Sequence, residues 1–247
     1  MSDTLVVNEI YLSLQGESTF AGLPCIFIRL TACDLRCSYC DTAYAFTAGK
    51  KKSLADILDE VKRVAAPFSN QSPAAGCQRL PLVELTGGEP LLQKNSLPLM
   101  KSLCDNGFTV LIETSGAHDI SLIDPRVRRI MDLKCPASGE AARNRFENLA
   151  QLKATDEIKF VIGTLEDYDW AKQQIAAYKL DAVCPLLFSW VHPLTPEQQN
   201  KVLKPVPAGL TPISRRALVE KIIADALPVR FQLQQHKIIW PPEQRGV

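Results

Sequence analysis

The chain has 247 residues, of which 46% are hydrophobic and 22% are charged, the composition of an ordinary folded protein. Its 28 Lys and Arg nearly balance its 27 Asp and Glu, so the charge pattern predicts neither a nucleic-acid partner nor a membrane partner. The start, MSDTLVVNEI, has no basic region followed by an apolar run, and no segment approaches the roughly 20 apolar residues of a membrane span. We therefore expect a cytoplasmic protein, in which cysteines act as metal ligands or small buried residues rather than as disulfides.

The first predicted elements are two strands, LVVNEIYLSLQGE and PCIFIRLTACD, followed by a helix in SLADILDEVKRVA. Ser53 is the predicted N-cap of this helix, and Asp56 lies three residues later, as in a capping box. Apolar residues then recur at helical spacing, at Leu54, Ile57, Leu58, Val61 and Val64.

Strand and helix signals alternate along the rest of the chain. Strands are predicted in LVELT, FTVLIETSG, RRIMDLK, EIKFVIG, DAVCPLLFS and VRFQLQQH, and helices near residues 97–104, 144–152, 165–178 and 214–226. About six such units predict an α/β fold, a shortened partial (β/α) barrel with a mainly parallel sheet, formed as a single domain over residues 1–247. Loops at the carboxyl ends of the strands are then expected to carry the chemistry.

Three cysteines lie close together in TACDLRCSYCDTAY, with the spacing C-x3-C-x2-C at Cys33, Cys37 and Cys40. They could be buried small residues, or zinc ligands, although structural zinc sites are normally closed by four ligands. They could also hold a [4Fe–4S] cluster through three of its irons, which leaves one iron open to a substrate and therefore favours catalysis. The other five cysteines lack such spacing and are predicted to be small buried residues: Cys25, Cys77, Cys104, Cys135 and Cys184.

This spacing, with an aromatic residue at Tyr39 before the last cysteine, resembles the radical S-adenosylmethionine (SAM) superfamily. The segment LTGGEP, residues 85–90, is similar to a second element of that superfamily. The resemblance implies that the open iron chelates SAM and that one electron from the cluster cleaves it to a 5′-deoxyadenosyl radical. Gly87 and Gly88 would then let the backbone approach SAM closely, and Glu89 would accept a hydrogen bond from its ammonium group.

A narrower resemblance runs nearly end to end. EIYLSLQGES, AGLPCIFIRLTACDLRCSYCDTAYAF, IETSG, DLKCPASGE and the ending QLQQHKIIWPPEQRGV are similar to 7-carboxy-7-deazaguanine synthases. The resemblance implies a radical SAM lyase that contracts 6-carboxy-5,6,7,8-tetrahydropterin to 7-carboxy-7-deazaguanine with loss of ammonia, a step in queuosine and 7-deazapurine biosynthesis. It also implies bound Mg²⁺, a flavodoxin or ferredoxin as reductant, and a homodimer.

The same resemblance assigns roles to individual residues. It places SAM against Tyr39, Cys40, Asp41, Gly88, Glu89, Asp132, Leu133 and Lys134. It places Mg²⁺ on the Thr42 hydroxyl, and the substrate against Leu14, Gln15, Gly16, Glu17, Arg29, Thr86, His236 and Val247. A guanidinium at the end of the strand CIFIR suits a carboxylate, and a Gln amide offers a donor and an acceptor together. The segment LLFSWVHP departs from the Gln-Pro motif of other branches, which leaves its SAM contacts open.

Two alternatives remain from the sequence. An activase of a glycyl-radical enzyme shares the cysteine spacing and the Gly-Gly-Glu element, but needs neither Arg29 nor the tail containing His236. A non-catalytic iron–sulfur carrier, or a zinc-stabilised binding module, would be supported by a fourth cysteine ligand, and the sequence pattern offers none.

Overall fold

The computed structural model describes residues 3–69, 80–196 and 198–247, so the prediction for Cys77 lies outside the described residues. The strands are β1 (Thr4–Leu14), β2 (Pro24–Leu30), β3 (Lys50–Ser53), β4 (Leu82–Gly87), β5 (Val110–Thr114), β6 (Arg128–Asp132), β7 (Glu157–Ile162), β8 (Leu186–Trp190) and β9 (Arg230–Gln232). The α-helices are α1 (Leu54–Ala65), α2 (Ser96–Asp105), α3 (Leu165–Tyr178), α4 (Arg215–Ala224) and α5 (His236–Ile239).

All of these strands join one sheet in the order β3-β1-β2-β4-β5-β6-β7-β8-β9. The β1 strand is antiparallel to both β2 and β3, whereas every neighbouring pair from β2 to β9 is parallel. Because β3 and β9 lie at opposite edges, the sheet does not close. The prediction of a partial barrel with a mainly parallel sheet is therefore confirmed.

Side chains on each strand alternate between two faces of the sheet, as the period of a strand requires. On β2, Ile26, Ile28 and Leu30 pack into the large core that also contains the helix residues, whereas Cys25 and Phe27 join a small cluster on the opposite face. In the described part of the chain, the apolar cluster on that second face is much smaller than the core on the first. It is therefore the face left available for a polar cavity.

The helix α1 forms as its sequence predicts. The Ser53 side chain accepts a hydrogen bond from the Asp56 backbone, and the Asp56 side chain accepts one from the Ser53 backbone. Ile57 and Val61 are fully buried, and the remaining apolar positions pack partly buried against the same core. The helix predicted over residues 165–178 is likewise confirmed as α3.

The α-helix predicted near residues 144–152 is wrong. This segment forms 3-10 turns at Ala141–Arg143 and Phe146–Gln151. Asn148 is buried there, and its amide donates to the carbonyls of Gly116 at 3.1 Å and His118 at 2.7 Å, so a tertiary contact outweighs local helix preference.

The last predicted strand also differs from the structure. Only Arg230–Gln232 pairs with the sheet, and the chain then turns into the short helix His236–Ile239. Within the described residues, no helix has both the length and the apolar character needed to cross a membrane.

Candidate active site

A cavity of about 580 Å³ opens beside the carboxyl ends of the parallel strands. Its wall contains most of the residues that the resemblance singled out: Leu14, Gln15, Gly16, Glu17, Arg29, Cys33, Cys37, Tyr39, Cys40, Asp41, Thr42, Thr86, Gly88, Asp132, Lys134, His236 and Val247. Glu89 and Leu133 are not part of the wall. Segments that are far apart in the sequence thus meet at one edge of the sheet, as expected for parallel strands.

The cysteine loop contributes three thiols to this wall. Burial raises the pKa of Cys33 to about 11 and that of Cys40 to about 12, so both are protonated near neutral pH without a bound cation. Iron would have to displace these protons, as metals do when they bind thiolates. Cys25, Cys135 and Cys184 are buried, which confirms the prediction for these three, whereas Cys104 is only half-buried.

The GGEP turn is packed directly against the cysteine loop. Gly88 N donates to Leu30 O at 3.2 Å, and Glu89 N donates to Ala32 O at 2.8 Å. A Cβ atom on Gly88 would lie 1.9 Å from Ala32 O and 2.9 Å from the Cys33 Cβ. Glycine is therefore required here by the contact between the two motifs, in addition to any approach to SAM.

The Glu89 carboxylate is buried and is not part of the cavity wall. Glu89 is fully buried, and its oxygens accept from Leu91 N at 2.9 Å, Thr114 Oγ1 at 2.9 and 3.0 Å, and Ser115 N at 2.7 Å. The contact with the SAM ammonium group stays a prediction, and in this structure the carboxylate bonds groups of the protein. Glu89 thereby orients Thr114 and Ser115, which do line the cavity.

Leu133 is similarly absent from the wall. Its side chain is buried in the core on the helix-covered face, and its backbone N donates to Lys159 O at 2.9 Å. The side chain has no access to SAM, since the alternation along the chain turns it to the opposite face from Asp132.

Two wall residues retain polar atoms that the protein leaves unbonded. Asp132 Oδ2 accepts from Lys134 Nζ at 2.7 Å, whereas Asp132 Oδ1 is buried without a hydrogen-bond partner and lies 3.8 Å from Lys159 Nζ. The Tyr39 hydroxyl is also buried without a partner. Buried polar atoms are normally satisfied, so these fit a polar ligand bound beside the three thiols, as SAM would be.

The Arg29 guanidinium is held by a network of side chains. Its Nε donates to Glu9 Oε1 at 2.8 Å, and its Nη2 donates to the Tyr11 hydroxyl at 2.7 Å. The Tyr44 hydroxyl donates to the same Glu9 oxygen at 2.7 Å. Within the described part of the chain, Nη1 has no acceptor, so the fixed guanidinium keeps donors for an anion in the cavity.

A buried charged cluster forms the wall next to Gln15. Gln15 Nε2 donates to Glu84, while Lys159 Nζ bonds Glu113 and lies 3.6 Å from Glu17 Oε2. Burial opposes the charge on Lys159, but the nearby carboxylates outweigh it and raise its pKa well above the usual value. Glu84, Glu113 and Lys159 were not among the site residues predicted from the sequence. The signal was present, because each is a charged residue within an otherwise apolar predicted strand.

The C-terminal tail closes another part of the wall. Gln235 N donates to Gly16 O at 3.1 Å, and a Cβ atom on Gly16 would lie 2.6 Å from His236 Nδ1. Burial lowers the pKa of His236 below its ordinary value, which favours the neutral imidazole. Burial also opposes ionisation of Asp41, but the Lys237 ammonium at 2.5 Å outweighs it and holds that pKa well below its usual range.

Comparison with known proteins agrees with this geometry. A family profile described as the Radical SAM superfamily matches residues 27–137. A 7-carboxy-7-deazaguanine synthase from Koribacter versatilis is 42% identical over 98% of this chain and 99% of its own length. Another, from Chlorobaculum tepidum, is 39% identical over 98% of this chain and 97% of its own length.

Among solved structures, the crystal structure of QueE from Escherichia coli matches with a TM-score of 0.66 and 23% identity, covering 94% of this chain and 95% of that one. This match supports the fold. The full-length identity to the synthases decides against the glycyl-radical activase and the non-catalytic iron–sulfur or zinc module. The chain belongs to the family of 7-carboxy-7-deazaguanine synthases, which are radical SAM lyases with a [4Fe–4S] cluster and SAM as cofactors.

Proposed function

We propose that this protein converts 6-carboxy-5,6,7,8-tetrahydropterin to 7-carboxy-7-deazaguanine with loss of ammonia, using Mg²⁺ in addition to the cluster and SAM. The observation that carries the proposal is the joint placement of Arg29, Gln15 and the cysteine loop in one cavity. The cavity therefore combines a site for an anion, a site for a hydrogen-bonding heterocycle and a site for one-electron chemistry.

The cluster residues Cys33, Cys37 and Cys40 would hold the irons, and Asp132, Tyr39 and Lys134 would bind SAM beside them. When bound, the cluster and SAM would supply the one-electron chemistry needed to remove a hydrogen atom from the substrate. The protein itself contributes orientation and exclusion of water, which are the usual tasks of a chain that holds a reactive cofactor.

The Arg29 guanidinium would bind the substrate carboxylate. It keeps its positive charge, and Glu9 and Tyr11 already fix its plane, so little conformational freedom is lost on binding. The pterin ring would lie against Leu14, Gln15, Gly16 and Thr86, with carboxylates from Glu17 and Glu113 facing its N–H donors. His236 and the C-terminal residue Val247 would close the site over the substrate.

Thr42 is the proposed Mg²⁺ ligand. Its hydroxyl lies 3.7 Å from Cys40 Sγ and makes no helix-capping hydrogen bond. Asp41, its neighbour, is occupied by Lys237. A neutral hydroxyl with only this weak contact to a thiol suits Mg²⁺, which usually takes few protein ligands and completes its octahedron with substrate oxygens and water.

The remaining partners are proposed from the family resemblance alone. A flavodoxin or ferredoxin would deliver the electron, and the protein would act as a homodimer. Size-exclusion chromatography with light scattering measures the oligomeric state directly, and a monomer at micromolar concentration would contradict the proposed homodimer.

The function is tested with protein reconstituted anaerobically with iron and sulfide, then supplied with SAM, a reductant, Mg²⁺ and carboxytetrahydropterin. We expect a deazaguanine absorbance and one ammonia released per product molecule, both absent with Cys33→Ala. Reconstituted protein that cleaves SAM but never releases ammonia from this pterin would contradict the proposal.

A further inference from the structure

Glu84 is a carboxyl group buried in the middle of the sheet, between the apolar residues Val83 and Leu85 of β4. It is 2% exposed and lies on the cavity face, where it contributes to the wall. In the described part of the chain its carboxyl makes a single hydrogen bond, from Gln15 Nε2, and no ion pair. A buried carboxyl with so few partners is costly, so a role in the site is the natural explanation for it.

Two hydrogen bonds, one at each end, hold the Gln15 amide. Gln15 Oε1 accepts from Glu17 N at 2.9 Å, a group that can only donate. With Oε1 turned to Glu17 N, the nitrogen end of the amide faces Glu84, whose carboxyl accepts from it. The two contacts together hold Gln15 in one of its two amide orientations and so determine which donor and acceptor sites it leaves for a ligand.

The charges around Glu84 leave it without a positive partner. Lys159, a buried cation of the same wall, bonds Glu113 and lies near Glu17 and Asp132. Burial and the negative charge of Glu113 raise the pKa of Glu84 well above its usual range. A ligand that brings N–H donors to this wall would relieve the cost of the charge, whereas a ligand that brings carbonyl oxygens would add to it.

We propose that Glu84 is a positioning residue that makes the site selective for a 2-amino-4-oxopyrimidine ring, by fixing the orientation of the Gln15 amide. This inference rests on the proposed function, since it concerns how the pterin ring is distinguished from related rings. A 2-oxo ring has the same shape but carries a carbonyl where the pterin carries an amino group, and Glu84 and Gln15 together reject it.

The test compares two non-reactive ligands, 6-carboxypterin and 6-carboxylumazine, which differ in the 2-amino and 2-oxo groups. Equilibrium dialysis against the reconstituted protein with SAM, without reductant, gives both dissociation constants. We expect the wild-type protein to prefer the pterin by about 10- to 100-fold, the range for a buried donor or acceptor left unpaired. Glu84→Gln should reduce the preference to about threefold or less, because its amide can either accept from or donate to Gln15, so that only the contact with Glu17 N still favours one orientation.

A matched control is available in Glu157→Gln. Glu157 is another buried carboxyl on the sheet, on β7, but it accepts from Thr19 and does not line the cavity. This variant should keep the wild-type preference. Glu84→Met removes the carboxyl and leaves an apolar side chain of similar length. It should lose the preference for the pterin as Glu84→Gln does, and it is the variant to use if Glu84→Gln does not fold.

A double variant tests whether Glu84 acts through Gln15. If it does, Gln15→Met combined with Glu84→Gln should change the preference no more than Gln15→Met alone, whereas additive effects would overturn the positioning role. An unchanged preference in Glu84→Gln, or equal weakening of both ligands together with weaker SAM binding, would also overturn it. Failure of the proposed function is distinguishable, because wild-type protein would then release no ammonia from carboxytetrahydropterin whatever its ligand preference.

Discussion

The two faces of the sheet are built by alternate residues of the same strands, yet their chemistry is opposite. On β4, Val83 and Leu85 pack into the helix-covered core, whereas Glu84 and Thr86 line the cavity. On β7 the same alternation separates Phe160 from Lys159. A shift of one residue in the pairing of a strand would move every core side chain to the cavity and every cavity side chain to the core. The packing of the apolar face therefore also fixes which side chains reach the substrate.

The difference shows where the stability of the protein resides. The helix-covered face buries a continuous apolar cluster that runs from Leu5 to Ile222, and its burial favours folding. The cavity face buries carboxylates and ammonium groups, for which desolvation offsets much of the attraction between opposite charges. Substitutions on the helix-covered face should therefore mainly lower stability, whereas substitutions on the cavity face should mainly lower activity.

The largest expected effect is on the cysteine loop. Cys33→Ala, Cys37→Ala and Cys40→Ala should each lose cluster assembly and all detectable turnover, because each removes one of three iron ligands. Cys104→Ala and Cys184→Ala should keep both, since these thiols lie outside the cavity. Iron and sulfide content after anaerobic reconstitution is the measurement, and a full cluster in any of the first three variants would contradict the ligand assignment.

The next prediction compares the two faces directly. Phe160→Ala should lower the free energy of unfolding by about 3–5 kcal/mol, because it empties a fully buried site that packs on Trp170 and Phe188. Thr86→Ala should cost only about 1 kcal/mol, the value of its one hydrogen bond to Glu113, while it weakens substrate binding. Urea denaturation of the unreconstituted proteins measures the free energy of unfolding of both variants. Similar losses for Phe160→Ala and Thr86→Ala would contradict the proposed difference between the two faces.

A third prediction concerns the anion site. Arg29→Lys should raise the KM for carboxytetrahydropterin by about 10- to 100-fold with a smaller change in kcat, because a lysine cannot keep the Glu9 and Tyr11 contacts and also bind a carboxylate as a fork. Arg216→Lys is the matched control, since Arg216 pairs with Glu220 on the exposed surface. A KM unchanged by Arg29→Lys would remove this residue from the proposed site.

The smallest expected effect is on Mg²⁺. Thr42→Ala should keep the cluster and SAM binding, yet require several-fold more Mg²⁺ for half-maximal rate, because one neutral ligand among waters and substrate oxygens is lost. Thr42→Ser restores the hydroxyl and should restore the wild-type dependence. The measurement is initial rate against Mg²⁺ concentration, and superimposable curves for wild type and Thr42→Ala would return Thr42 to the role of an ordinary loop residue.

Local sequence signals predicted those parts of the fold that local physics controls. The capping box at Ser53, the extent of α3 and the alternation of strands and helices follow from propensity and periodicity. The predicted helix over residues 144–152 failed because the Asn148 side chain bonds two carbonyls of a loop that is distant in sequence. The contacts of Glu89 likewise lay beyond local signals, since its partners Thr114 and Ser115 lie at the end of another strand.

The sequence by itself determined the class of chemistry, because the spacing of three cysteines, the GGEP turn and the strand signals are all encoded within short segments. Only the tertiary structure decided the inner wall of the cavity. Glu84, Glu113 and Lys159 come from three different strands, and their charges become meaningful only when parallel pairing brings the strands side by side. Contacts between residues far apart in the chain depend on packing, and no local pattern specifies them.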